Sequence, residues 1–136
     1  MNEGALVVDA SAIVEMALAT ERGGRIQARL ARDDAALHVP ELCPIEVVSA
    51  LRALALSGKL AASRAAAAVA DLPGLALSRH SAQPMLARIW QLRDTLTSYD
   101  ACYVTLAERL DAPLIVADAK LDTLAVRRLI DVEVVS

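Results

Sequence analysis

A chain of 136 residues has the size of one domain and can bury a sizeable core. Its residues are 56% hydrophobic, with no Phe, one Trp and two Tyr, so Ala, Leu and Val must fill that core and an aromatic platform for stacked bases is disfavoured. The formal charge of −3 argues against a broad basic surface for nucleic acid, while a local patch of Lys and Arg stays open.

In chain order, strand-like apolar runs fall at residues 6–8, 37–39, 75–77, 113–116 and 132–135. Between them the patterning predicts helices over 11–20, 24–32, 44–56, 61–71, 84–96, 99–110 and 119–128, with Gly58, Pro73 and Pro113 as stops. The segment AASRAAAAVAD looks like low complexity, yet Ala is the best helix former and Val69 and Leu72 extend its apolar face, so it reads as helix. Short apolar strands alternating with helices imply βαβ units. The expected fold is therefore α/β: three layers, with a mostly parallel central sheet of about five strands, in a single domain spanning 1–136.

The N-terminus carries Glu3 and Asp9 with no positive leader or small-residue cleavage site, which does not fit a secretory signal, and no uncharged run approaches membrane-spanning length. Cys43 and Cys102 lack a C-x-x-C spacing, as expected of reduced thiols in a cytoplasmic protein.

Ligands of open parallel sheets bind beyond the carboxyl ends of the strands, and the connecting helices begin at that same edge. Asp9 ends the first strand in ALVVDASAIVEM, and Asp118 ends the fourth in PLIVADAKLD. Glu46 in PIEVVSALR and Asp100 in TSYDACYVTLAERL lie in first turns of helices. Four carboxylates from separate parts of the chain are thus directed to one edge. Each has a structural explanation when taken alone. Asp9 could brace the turn into a helix capped by Ser11, Glu46 and Asp100 could answer helix dipoles, and Asp118 could be an N-cap. Together, however, carboxylates about 5 Å apart repel by roughly 3 kcal/mol per pair at an effective dielectric of 20. Something positive should sit among them. An all-carboxylate set suits a hard cation, Mg²⁺ or Mn²⁺, and not zinc. His38 and His80 are distant in sequence, lack metal-ligand spacing and read as ordinary surface or packing residues.

These motifs resemble the PIN-domain ribonucleases, and among them the VapC-type toxins of toxin–antitoxin pairs, over nearly the whole chain. VVDASAIV looks like the opening Asp-x-Ser/Thr motif, Glu46 corresponds to the second acid, and SYDACYVTLAERLDAPLIVAD is similar to the segment that supplies the last two. The resemblance implies that Asp9, Asp100 and Asp118 bind Mg²⁺ or Mn²⁺, that Glu46 completes the site, and that Ser11 holds a ligand or water. Hydrolysis of RNA to a 5′ phosphate and a 3′ hydroxyl would follow. Many relatives carry Asn at the place of Ser49 and Thr at that of Val116, so an amide and a hydroxyl that could orient ligands are missing here. Outside the four acids the charge of −3 becomes +1, and Lys120 or Arg52 could meet a phosphate.

The resemblance further implies a VapB-type antitoxin partner and a homodimer, for which the apolar residues Ile13, Met16 and Leu18 and the Ala-rich helix offer surface. Two rival functions come from other classes. A catalytically silent binding module of the same fold would act through partners alone. An Asp/Mg²⁺ phosphoryl-transfer domain fits less well, because Ser11 stands where a phosphatase wants a second Asp and LALSRHS lacks a receiver's phosphoacceptor.

Overall fold

The structure, a computed structural model, describes residues 4–136. Five strands form one sheet: β1 (Ala5–Val8), β2 (Ala36–Pro40), β3 (Leu77–His80), β4 (Leu114–Val116) and β5 (Val132–Val134). All pairings are parallel, in the order β3-β2-β1-β4-β5. The helices are α1 (Ala10–Ala17), α2 (Glu21–Arg32), α3 (Cys43–Leu56), α4 (Ala62–Asp71), α5 (Leu86–Gln91), α6 (Ser98–Leu110) and α7 (Leu124–Arg127). Layers of helix lie on both faces of the sheet. α6, with α5 beside it, packs on β1, β2 and β4, while α1 packs with α2, α3 and α4.

β1 is the middle strand, and every residue of it is buried, which is why ALVV carries no alternation. Strand order reverses there: the chain runs outward through β2 and β3, then crosses back to place β4 on the other side of β1. The crevice of a parallel sheet opens at such a reversal, beyond the carboxyl ends of the two strands that flank it. Those ends lead directly into Asp9 and Asp118.

The core joins β1 and β4 to Ile13, Ile26, Val47, Leu51 and the α6 run from Ala101 to Ala107. α2 approaches α1 closely at Gly23, where a Cβ would stand 2.2 Å from the Glu15 carbonyl oxygen. No helix among the described residues is long and apolar enough to cross a membrane.

Three elements differ from the sequence expectation. The third strand, expected at 75–77, lies at Leu77–His80, because a 3₁₀ turn over Leu72–Gly74 carries Leu75 before extended pairing begins. β3 is an edge strand, so its sequence LSRH is polar and gives no apolar run to read. The helix expected over 84–96 is a 3₁₀ turn (Gln83–Met85) followed by the short α5, and 92–95 are turns. The helix expected from 119 is reduced to α7: residues 117–121 form bends and turns, and Thr123 caps α7 by accepting from Val126 N at 3.2 Å. Ile13, expected to offer partner surface, is fully buried in the core, whereas Met16 and Leu18 are partly buried.

Candidate functional site

Asp9, Ser11, Glu46, Asp100 and Asp118, together with Lys120, line one cleft of about 230 Å³ whose walls also include Ala10, Val14, Ala50 and Leu121. The sequence-derived set is therefore gathered in one place. Each acid arrives from a different segment. Asp9 follows β1 and is the N-cap of α1, its Oδ2 accepting from Ser11 N at 3.0 Å, so the cap is Asp9 and not Ser11. Glu46 stands in the first turn of α3 behind Pro44, and Asp100 in the first turn of α6, where Thr97 accepts from Asp100 N at 3.1 Å. Asp118 closes an Asx turn rather than capping a helix, its Oδ1 accepting from Lys120 N at 3.0 Å.

Ser11 supports the cleft through the backbone. Its Oγ accepts from Ala117 N at 3.0 Å, while Arg22 Nη1 donates to Ala117 O at 3.2 Å. Ala117, just before Asp118, is thus held at both its N–H and its carbonyl, by α1 and by the start of α2. Arg22 also reaches Glu15 at 3.7 Å. Sequence reasoning did not reach Arg22, since nothing in its spacing links it to residue 117.

The electrostatics are unbalanced. Burial raises the Asp9 carboxyl above its ordinary value; the hydrogen bonds with Ser11 pull it back, and the charges of Asp118 and Asp100 push it up further. Glu46 is raised as well, chiefly by burial and also by Asp9 and Asp100, with Tyr103 and Lys120 opposing. The cation in the cleft lining is Lys120, whose Nζ lies 3.1 Å from Asp100 Oδ2, and this pairing raises its own pKa. Lys120 is thus engaged with an acid of the cleft. Arg52 is exposed on α3 and does not line the cleft. Ser49 is exposed too, and Ala50 faces the site in its stead.

The donor set fits a hard divalent cation: four carboxylates and a hydroxyl, with no imidazole or thiolate in the lining. No three His, Cys, Asp or Glu groups among the described residues close into a ready-made coordination shell. Mg²⁺ keeps several waters of its own and needs only one or two carboxylates as direct ligands.

His38 and His80, distant in sequence, meet on the same face of neighbouring strands, with Nδ1 and Nε2 2.8 Å apart. They lie outside the cleft lining. Register explains the pairing: His38 stands opposite Ser78 and Pro40 opposite His80. Cys43 and Cys102 are buried and free, and burial pushes the Cys43 thiol up to about 11.

A five-stranded parallel sheet in this order, with acids gathered where it reverses, is the arrangement of a PIN fold, and a family profile described as the PIN domain matches residues 6–127. The chain belongs to the PIN domain family, in its VapC-type branch. It is similar to Ribonuclease VapC3 of Mycobacterium tuberculosis, 39% identical over 117 residues that cover 85% of this chain and 84% of the relative. Ribonuclease VapC1 of the same organism is 40% identical over 116 residues, covering 85% and 86%. VapC ribonuclease Mb0985 of Mycobacterium bovis is 38% identical over 116 residues, covering 85% and 87%.

Proposed function

We propose that the protein is a metal-dependent endoribonuclease and the toxin of a VapBC-type toxin–antitoxin pair, acting as a single PIN domain. The observation that carries this reading is the gathering of Asp9, Glu46, Asp100 and Asp118 in one cleft at the point where strand order reverses. Family membership and the ribonuclease relatives support it. Asp9, Asp100 and Asp118, with Glu46 completing the set, would hold Mg²⁺ or Mn²⁺, which would supply Lewis acidity toward a phosphodiester and toward water.

The chain's own residues supply the geometry. Asp9 is fixed as a helix cap, so its carboxylate keeps one orientation relative to β1. Ser11 and Arg22 fix the backbone of Ala117 just before Asp118, and Lys120 stands beside Asp100, where its charge offsets the anionic lining and can meet a phosphate. In-line attack by water leaves a 5′ phosphate and a 3′ hydroxyl.

An apolar cleft of about 410 Å³ between α1, α2 and the β2–β3 side of the sheet includes Met16, Leu30, Leu37 and Leu77 in its walls, together with Asp34 and Asp71. Its chemistry suits an apolar antitoxin segment bearing basic residues. A homodimer in the cytoplasm completes the proposal.

The test is incubation of the partner-free protein with a structured RNA pool in Mn²⁺, Mg²⁺ or EDTA, beside Asp9→Asn. Cleavage by the wild type in metal, lost in EDTA and in the variant, is the expected result. Equal cleavage by Asp9→Asn removes the proposed role of the cleft. A wild type that cuts no RNA while binding an antitoxin supports a silent module instead.

A further inference from the structure

We propose that Tyr103 is a positioning residue for the acidic cleft: its hydroxyl donates to Glu46 Oε1 and fixes the carboxylate so that Oε2 remains for the cation. The inference rests on the reading of the cleft as a metal centre and adds a residue to it that lies outside the cleft lining.

Tyr103 is 1% exposed and is among the largest fully buried side chains of the core. A phenol at that depth must place its O–H on a partner, and it does so at 2.7 Å from Glu46 Oε1. Placement along the helices is equally specific. Tyr103 stands in the second turn of α6, three residues after Asp100, and Glu46 in the first turn of α3, so the contact joins the two helices that deliver an acid each. A carboxylate's terminal torsion is broad and has no strong intrinsic preference. Among the described residues the phenol is the hydrogen-bond partner that sets that torsion, and without it the Glu46 carboxylate would turn freely among neighbouring anions. Outer groups of this kind, which hold a ligand rather than touch the ion, alter metal affinity about 10- to 100-fold when removed.

The test is a Mn²⁺ titration by calorimetry on the wild type, Tyr103→Phe, Glu46→Gln and the double variant, with melting curves and cleavage rates over a range of Mn²⁺. Phe keeps the ring in the core and removes only the hydroxyl. The expected result is Mn²⁺ binding weakened about 10-fold in Tyr103→Phe, with cleavage restored at high Mn²⁺ and cooperative melting retained. In the Glu46→Gln background the same change should leave Mn²⁺ affinity unaltered, because Tyr103 acts through Glu46. Binding by Tyr103→Phe within two-fold of the wild type overturns the inference and leaves the metal centre standing. An equal loss in the Glu46→Gln background overturns it too, since the hydroxyl would then serve the fold and not the carboxylate. A wild type that takes up no Mn²⁺ removes the metal centre and this role of Tyr103 together.

Discussion

The acids of the cleft and a set of ion-paired acids elsewhere on the molecule are treated differently by the fold. Away from the cleft, Glu108 accepts two hydrogen bonds from Arg88, at 2.9 Å each, Asp33 and Glu133 share Arg29, and Asp122 pairs with Arg127. In the cleft, four acids are served by Lys120 alone among the side-chain cations that line it. Outside, each of these carboxylates meets a guanidinium and contributes modestly to stability. Inside, burial and mutual repulsion hold Asp9 and Glu46 above their ordinary pKa values. Groups placed for stability are matched locally, and groups placed for a ligand are left for the ligand to match.

The largest effect that should separate the two regions is on cleavage. Asp100→Asn is expected to lower Mn²⁺-dependent RNA cleavage by about 100-fold or more, while Asp33→Asn on the outer face changes it less than two-fold. Loss of activity in both variants would erase the distinction. Next in size is Ser11→Ala, which frees the Ala117 N–H that Ser11 holds. The Mn²⁺ concentration for half-maximal cleavage should rise about 10-fold, with the Arg22 contact to Ala117 O limiting the loss.

Stability should respond in opposite directions. Folding raises the Asp9 pKa above 3.8, so its favourable contribution is full below that value and is lost as pH rises through the raised one. At pH 7 without metal, Asp9→Asn should therefore melt about 3 °C higher than the wild type, with the gain vanishing as pH falls toward 4. Glu108→Gln removes half of an ion pair and should melt about 3 °C lower. The smallest effect concerns His38, whose pKa is lowered below 6.5 by burial and by the neighbouring His80. Its neutral form is the one folding favours, so stability is present above 6.5 and lost as pH falls through the lowered value. His38→Phe should flatten that acid limb in melting curves between about pH 7 and 5.

What the sequence made legible was the part of the fold governed by burial. β1 and β4 are apolar on both faces because they are central, and an acid at the end of such a run has few other reasons to be there. The helices that pack on the sheet were legible for the same reason. β3 was misplaced because an edge strand is half solvated, and of the apolar run only Leu77 enters the strand, with Leu75 and Ala76 leading into it from the turn. α7 was overextended because Asp118 and Thr123 divide AKLDTL between an Asx turn and a separate cap. Within the site, the four acids could be read from their positions at strand ends and helix starts. Tyr103, Arg22 and the Ser11 contact could not, because each works by touching a residue remote in sequence: Glu46 in one case and Ala117 in the other two. The pairing of His38 with His80 depended on strand register in the same way.

Anomalous diffraction from crystals of the protein soaked in Mn²⁺ tests the central claim most directly. The account expects a Mn²⁺ peak inside the cleft, bound directly or through water by Asp9 and at least two of Glu46, Asp100 and Asp118, with Lys120 displaced from Asp100. Mn²⁺ bound only elsewhere, or a cleft that stays free of it at saturating concentration, would contradict the account.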